Sequence, residues 1–236
     1  MNILAFDTCF DACSVCVAQQ RAGAVVELAS TIEFFETGHA ERLVPMIGEA
    51  MHAAGMAFES LDRITVTVGP GTFTGTRIGI AAARGLALAT QTPVAGASSL
   101  AVMAEVAVRR LGMGVPGELL AVAVDARRGE VYVQLFGTGG LDARSPPLLL
   151  AVEDAAGLGG SALLVLVGSG AAAVAAAAQS MGRAARAELA ALLPDACALA
   201  AMAPAIAPSE GALGPLYLRP PDAKPQAGKA IARVAQ

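Results

Sequence analysis

The sequence predicts an α/β protein made of two similar domains, each a mixed sheet with helices packed on it. Apolar, strand-like segments alternate with helical segments along most of the 236 residues. A strand, a turn and a returning strand open the chain and recur after residue 118, and each opening strand ends in an aspartate, Asp7 or Asp125. A strand, a glycine turn and a helix also follow one another twice. This repetition indicates a duplicated domain, with chance similarity of α/β units as the alternative.

The composition predicts a buried core and disfavours several classes of enzyme. Hydrophobic residues make up 55% of the chain and the net charge is −4, which disfavours autonomous nucleic-acid binding. Lysine is absent before Lys224, which argues against P-loop proteins, pyridoxal-phosphate enzymes and protein kinases, because each needs a lysine in its site. The two histidines, His39 and His52, fall on different sides of one predicted helix. We therefore predict no metal site and assign no catalytic residue.

The four cysteines, Cys9, Cys13, Cys16 and Cys197, lack a neighbouring histidine and the paired spacing of a zinc site. We expect them to pack as small apolar side chains, with metal or redox chemistry as the alternative. Their number and spacing do not suggest a disulfide framework, so a reducing, cytoplasmic location is expected. The uncharged stretch 157–182 contains a strand, a glycine turn and an alanine-rich helix, so we do not expect it to span a membrane.

The first domain is expected to begin with strands near residues 3–8, 14–18 and 23–35, followed by a helix over residues 39–54. Apolar side chains of this helix spread over an arc of about 160°, whereas a helix that covers one sheet needs about 100°. Val44 and Met51 form most of the surplus. The surplus predicts that a second protein covers part of this helix, with the other domain of the chain as the alternative.

The central stretch Gly69–Gly79 lies between a predicted strand over residues 63–68 and a nearly uncharged helix over residues 77–89. Glycine turns that open a helix bind phosphates in many α/β proteins. Here the glycine spacing does not match the dinucleotide fingerprint, and the P-loop lysine is missing. We therefore interpret the stretch as a rigid elbow that lets a partner-binding helix pack closely, with Phe73 and Arg77 facing outward.

Three segments are predicted from these patterns. The first domain covers residues 1–112, and a second, smaller domain covers residues 113–206. Helices over residues 183–193 and 195–203 can pack back on the first domain. Residues 207–236 are expected to form a largely flexible tail.

Asp7 and Asp125 end apolar strands, where a carboxylate either binds magnesium in phosphoryl-transfer enzymes or caps the following turn. We favour capping, because no general base with a paired partner lies near either residue in the sequence. Arg127 and Glu130, in the turn after Asp125, are expected to form a local ion pair of small energetic contribution.

With these residues in view, the sequence resembles the TsaB (YeaZ) family. Five motifs carry the resemblance and occur in the family's order: Ile3–Thr8, His39–Pro45, Gly69–Gly79, Asp125–Tyr132 and Pro215–Arg219. The central motif is specific, whereas the opening Asp-Thr motif is shared across the wider superfamily. Cys9, Thr72 and Thr76 depart modestly from the family pattern.

The resemblance implies two RNase H-like domains of the actin-like ATPase (ASKHA) superfamily. It also implies a non-catalytic subunit of the machinery that makes threonylcarbamoyladenosine (t6A) in tRNA, which binds and activates the paralogue TsaD. TsaD carries the metal-binding histidines, and the small ATPase TsaE joins the pair. This chain would then need no cofactor of its own, with ATP or ADP as candidate ligands at the partner interface. The resemblance further implies that tRNA is reached through the complex, and we expect a homodimer when the chain is alone.

Two sets of candidate residues follow. The partner-binding set lies on two helices and comprises His39, Leu43, Val44, Ile47, Met51, Arg77, Ile80 and Arg84. The set for a nucleotide site or a structural motif comprises Asp7, Thr8, Gly69, Gly71, Phe73, Gly75, Asp125, Arg127 and Glu130. The alternative function is an active ATP-dependent kinase or ATPase that uses the two aspartates and the glycine turns. A metallopeptidase is a third reading, disfavoured by the missing metal ligands.

Overall fold

The computed structural model describes residues 1–112, 117–137 and 142–219, which form two five-stranded sheets with helices on their faces. The first sheet and its helices consist of β1 (Asn2–Asp7), β2 (Ala12–Arg21), β3 (Ala24–Phe34), α1 (His39–Ala53), β4 (Arg63–Thr67), α2 (Phe73–Thr90), β5 (Val94–Ala97) and α3 (Ser99–Leu111). The second half consists of β6 (Glu118–Asp125), β7 (Glu130–Phe136), β8 (Leu148–Ala151), α4 (Val152–Ala156), β9 (Leu163–Val167), α5 (Ala171–Ser180), β10 (Ala185–Ala187) and α6 (Ala196–Met202).

The two sheets share one topology. The strand order is β3-β2-β1-β4-β5 in the first sheet and β8-β7-β6-β9-β10 in the second. In each sheet the opening strand pairs antiparallel with the second strand and parallel with the fourth. The outer strands repeat the same directions, antiparallel on one side and parallel on the other. The predicted duplication is therefore confirmed, because order and direction agree for all five strands.

The first sheet is covered on both faces. Side chains alternate between the two faces of a strand. In β1, Ile3 and Ala5 pack with α3 and α6, whereas Leu4 and Phe6 pack with α1. The cluster on the α3 side also contains Leu120 of β6, so α3 and α6 fill the space between the two sheets. Burial on both faces explains why β1 is apolar without interruption.

The prediction of a helix over residues 183–193 is wrong. Ala185–Ala187 forms β10, an edge strand that pairs in parallel with β9. Glu188 N donates a hydrogen bond to Leu166 O at 2.8 Å, which extends this pairing beyond the strand itself. The pairing provides hydrogen-bond partners for backbone groups along the edge of β9 that would otherwise have none in the sheet. This tertiary interaction outweighs the helix propensity of the alanines.

The helix expected over residues 195–203 is present as α6 and lies on the first sheet. Asp195 caps it, since its Oδ1 accepts a hydrogen bond from Cys197 N at 2.7 Å. The helix packs against β1, β2 and β3 as well as α3. The chain therefore returns from the second sheet to the first after β10.

Residues 206–219, called the strap below, run along the first domain and end at the second. Leu216 N donates a hydrogen bond to Val68 O at 2.7 Å, just beyond β4. Arg219 pairs at 2.5 Å with Glu130, the first residue of β7. Residues 207–219, expected to belong to a largely flexible tail, make these contacts.

Several expectations concern other parts of the chain. Residues 113–116, at the expected domain boundary, and residues 220–236, expected to be disordered, lie outside the described residues. The uncharged stretch 157–182 contains β9 and α5 rather than one long helix. Across 1–112, 117–137 and 142–219, no helix combines the length and the apolar character that crossing a membrane requires.

Candidate functional site

The central glycine turn joins β4 to α2 and packs against the turn that follows β1. Thr72 caps α2, because its side-chain oxygen accepts a hydrogen bond from Gly75 N at 3.1 Å. Thr72 N donates to Cys9 O at 2.7 Å, and the Thr8 hydroxyl donates to Gly75 O at 2.7 Å. The two turns are thus held together by hydrogen bonds that involve their own backbones.

The glycines of this turn are needed for close packing. A Cβ added to Gly71 would lie 2.4 Å from Cys9 O, and one added to Gly75 would lie 2.1 Å from Thr8 O. Gly69 has a φ of +102°, a conformation that residues with a Cβ rarely adopt. On the side where a Cβ would lie, each of these three glycines packs against a backbone carbonyl oxygen, of Leu216, Cys9 or Thr8. The glycines of this turn therefore allow its close packing against the turn after β1.

Replacing Gly75 by alanine should destabilise the protein, because the new methyl group overlaps a backbone oxygen that cannot move independently. We expect the free energy of unfolding to fall by about 2–3 kcal/mol. Gly85→Ala in the same helix is the matched control, since a Cβ there meets nothing within 4 Å. The control should be neutral or stabilising by about 0.5–1 kcal/mol. Urea denaturation followed by circular dichroism measures both, and equal stability of the two variants would contradict the packing role.

Asp7 caps the turn after β1 from a buried position. Its Oδ1 accepts hydrogen bonds from the Thr67 hydroxyl and from Cys9 N. Burial raises the pKa of the Asp7 carboxyl from 3.8 to about 6, and the hydrogen bonds from Thr67 and Cys9 only partly oppose this. The same burial, together with the nearby Asp7 charge, raises the pKa of the Cys9 thiol. The favoured capping role of Asp7 agrees with this geometry.

The raised pKa of Asp7 makes stability depend on pH. Between about pH 4 and pH 6 the folded state keeps a proton that the unfolded state releases, so stability present at pH 4 is lost as the pH rises to 6. Asp7→Asn still offers an oxygen to Thr67 and removes the charge. We expect the variant to be more stable at pH 7 by roughly 1–3 kcal/mol and to lack this decline. Urea denaturation at several pH values tests this, and parallel pH profiles for variant and wild type would refute it.

The second half repeats the arrangement in a more exposed form. Asp125 ends β6, and its Oδ1 accepts a hydrogen bond from Arg127 N at 2.8 Å. Asp125 N in turn donates to the Ser169 hydroxyl at 3.0 Å, in the second glycine turn. The prediction of an ion pair between Arg127 and Glu130 is wrong, because Glu130 pairs with Arg219 of the strap instead.

A cleft of about 430 Å³ opens between the two sheets. It is lined by parts of both glycine turns and by polar side chains that include Asp11, Asp125, Arg127, Tyr132, Ser169 and Arg219. Asp7 does not line it. Of the two strand-ending aspartates, only Asp125 therefore faces this cleft. Among the described residues, no three His, Cys, Asp or Glu side chains are grouped so that they could hold a metal ion.

Several predicted partner-binding residues of α1 and α2 face their own sheet. Leu43, Ile47 and Met51 are buried in the cluster beneath the helices. Ile80 is also buried, and His39 Nε2 donates to Phe10 O at 2.7 Å. The interpretation of Met51 as surplus to the core is wrong, because this side chain is only 1% exposed. These five residues can support a binding face from below but do not form its surface.

The outward side of α1 and α2 carries large apolar groups. Val44 is 64% exposed, Phe73 57% and Leu88 78%. Arg77 stacks on the Phe73 ring, with its guanidinium carbon 3.5 Å from the ring centroid. Arg84 is exposed on the same side of α2. We call this surface, formed by Val44, Phe73, Arg77, Arg84 and Leu88, the helical face.

The strap completes one edge of the helical face. Tyr217 stacks on Phe73 at 5.9 Å between ring centroids, and its hydroxyl accepts a hydrogen bond from Arg77 Nε at 2.5 Å. Between α2 and the strap lies a groove of about 490 Å³, lined by Arg77, Arg84 and Tyr217 among others. The sequence missed Tyr217 and Leu88. The motif Pro215–Arg219 contains Tyr217 and was the available signal for it. Leu88 could not be singled out, because nearly all of α2 is apolar.

Comparison with known proteins identifies the family. The chain is 39% identical over 132 residues to the tRNA threonylcarbamoyladenosine biosynthesis protein TsaB of Escherichia coli, a match that covers 56% of this chain and 53% of that protein. The solved structure of YeaZ from Pseudomonas aeruginosa is 33% identical and covers 92% of this chain and 99% of that chain, with a TM-score of 0.73. The chain belongs to the TsaB (YeaZ) family. It spans about half the length of the curated TsaB relatives it matches.

The other comparisons agree with membership of the TsaB (YeaZ) family. A second Pseudomonas aeruginosa structure, of an uncharacterized protein with similarity to peptidase YeaZ, has a TM-score of 0.78 at 33% identity and is covered to 99%. Residues 33–206 match the family model described as TsaD, tRNA N6-adenosine threonylcarbamoyltransferase. The expected actin-like ATPase fold with two RNase H-like sheets is confirmed by the duplicated topology and by the YeaZ structure.

Proposed function

We propose that this chain is a non-catalytic subunit of the t6A machinery that binds the paralogue TsaD through the helical face and holds it in an active shape. The observation that carries the proposal is the exposure of Val44, Phe73 and Leu88 on two adjacent helices. Exposed apolar side chains on two adjacent helices favour burial of that surface against another protein. The names of the TsaB relatives, which refer to threonylcarbamoyladenosine biosynthesis, support the choice of pathway.

The non-catalytic assignment rests on the glycine turns. The first turn faces carbonyl oxygens of Thr8 and Cys9. In the second, a Cβ added to Gly168 would lie 2.6 Å from Ala123 O. At these glycines both turns pack against backbone carbonyl oxygens, which supports a packing role for the glycines. We therefore place the transfer chemistry in TsaD and propose that ATP or ADP binds at the interface with it.

The remaining partners follow from the same assignment. TsaE is proposed to join the pair, and tRNA is proposed to reach this chain only through the complex. In the absence of TsaD, a second copy of the chain is proposed to cover the helical face, because apolar side chains there would otherwise stay in water. The working location is proposed to be the cytoplasm, where tRNA is modified.

The proposal is tested by co-expression of this chain with a tagged TsaD from the same source. A stable complex on size-exclusion chromatography, and t6A formation that needs both subunits, are the expected results. Failure to co-elute at micromolar concentration would overturn the proposal. Calorimetry of the isolated chain with magnesium and ATP tests the kinase alternative, since binding in the interdomain cleft would favour it.

A further inference from the structure

The strand β2 presents cysteines to two different surroundings. Side chains alternate along a strand, and the cluster under α1 contains Cys13 and Val15, whereas the cluster on the α3 and α6 side contains Cys16. Ser14 lies on the same side as Cys16, since its hydroxyl oxygen accepts a hydrogen bond from Ala196 N at 3.1 Å. The first turn of α6 therefore sits directly over this side of β2.

Cys197 follows Ala196 and is brought to Cys16 by this docking. The Cys197 side chain packs against the cluster that contains Cys16, and it lines a cavity together with Ser30, the residue opposite Cys16 on the neighbouring strand β3. Cys16 and Cys197 are 181 positions apart in the chain but adjacent in the fold. Interaction with Cys197, followed by burial, raises the pKa of the Cys16 thiol. Cys16 is thus held as a thiol in the folded protein, with Cys197 as its neighbour.

Access to the pair is from one side. Cys16 is fully buried, whereas Cys197 is half-buried and lines a cavity of about 220 Å³ beside Ser30 and Ile32 of β3. A small oxidant can therefore reach Cys197 first. Cys13 points to the opposite face of the sheet, and the buried Cys9 thiol donates a hydrogen bond to the Thr67 hydroxyl oxygen at 3.2 Å.

We propose that Cys16 and Cys197 form a redox modification site that closes into a reversible disulfide when a hydroperoxide reaches the cavity. The Cys197 sulfur attacks hydrogen peroxide, the O–O bond breaks, Cys197 becomes a sulfenic acid, and the other oxygen takes the thiol proton and leaves as water. The Cys16 sulfur then displaces the hydroxyl group of the sulfenic acid, and the thiol proton leaves with it as a second water. In total, two thiols are oxidised, one hydroperoxide is reduced, and an external thiol reverses the reaction.

The disulfide would join β2 of the first sheet to α6, the helix through which the chain returns from the second sheet. It closes a loop of nearly the whole described chain, so it restricts the unfolded state strongly. The oxidised protein should therefore keep α6, and with it the strap, attached to the first domain more firmly than the reduced protein does. The pair is absent from the helical face, so the linkage leaves the proposed TsaD contacts free.

The experiment uses the full chain, reduced and then treated with graded hydrogen peroxide. After denaturation and alkylation, we expect two of the four thiols to become unreactive, and a peptide map to link Cys16 with Cys197 until dithiothreitol is added. Four reactive thiols at all peroxide levels would overturn the proposal. A linkage that involves Cys9 or Cys13, or that joins two chains, would also overturn it.

Matched variants separate the pair from the other cysteines. Cys197→Ser should keep its three remaining thiols reactive, whereas Cys13→Ser should still lose two thiols on oxidation. Circular dichroism checks the fold of each variant, and Cys197→Ala replaces Cys197→Ser if the serine disturbs packing. Retention of the linkage signature in either Cys197 variant would refute the assignment. The readout is chemical and independent of TsaD, so it stands apart from the proposed function.

Discussion

Replacing Val44 by aspartate should abolish co-purification with TsaD while the chain stays folded. Val44 is 64% exposed, so the charge remains solvated in the free protein and the free energy of unfolding should change by less than about 0.5 kcal/mol. In the complex the same charge would be buried among apolar groups without a partner, so we expect a loss of about 2–5 kcal/mol, or about thirtyfold or more in affinity. Isothermal titration with TsaD measures the loss.

A matched control separates a specific face from a general effect of added charge. Met181, at the end of α5 in the second domain, is 51% exposed and lies outside the helical face. Met181→Asp should therefore bind TsaD as tightly as the wild type does. Full affinity in Val44→Asp, or equal losses in both variants, would remove the helical face as the docking surface.

Replacing Met51 by aspartate should unfold the first domain rather than affect binding alone. Met51 is 1% exposed and belongs to the cluster between α1 and the sheet. An aspartate there is a buried, unpaired charge that also leaves a cavity, so we expect a loss of about 4 kcal/mol or more. Such a loss is a large part of the 5–15 kcal/mol that stabilises a typical domain.

The measurement is urea denaturation followed by circular dichroism, since the chain contains no tryptophan. Met51→Leu keeps volume and polarity and should cost less than about 1.5 kcal/mol. A stable, cooperatively folded Met51→Asp protein would mean that this part of α1 is not held in the core as described. It would also restore Met51 as a residue available to a partner.

The different fates of Val44 and Met51 illustrate what helical periodicity can predict. The two residues are seven positions apart, so they lie only about 20° apart around an ideal helix. After α1 the chain turns back, with Met56 N donating to Met51 O at 3.0 Å, and Phe58 then packs against the same cluster. This segment covers the C-terminal end of the side of α1 that carries Val44 and Met51, and it leaves Val44 exposed to solvent. Helical periodicity predicts which residues share this side of α1, but a loop of ordinary composition determines which of them are covered.

Local patterns predicted the elements that depend on local interactions. The duplicated strand order, a helix from residue 39 and the close packing of Gly71 and Gly75 follow from apolar spacing and glycine placement, whereas the helix predicted over residues 77–89 begins four residues earlier, at Phe73, after the Thr72 cap. The structure differed where a distant segment supplies the partner. Arg219 displaces Arg127 as the partner of Glu130, and β9 recruits β10 from a sequence with helical propensity. Neither pairing leaves a signal within a short window of sequence.

The strap sets an order of events during synthesis. Tyr217 is translated well over a hundred residues after Arg77 and Phe73, yet it stacks on one and bonds to the other. A ribosome that has made the whole first domain has therefore not yet made one edge of its helical face. A chain that ends before residue 217 lacks the ring that stacks on Phe73 and the hydroxyl that bonds to Arg77, so the proposed docking face is complete only late in synthesis.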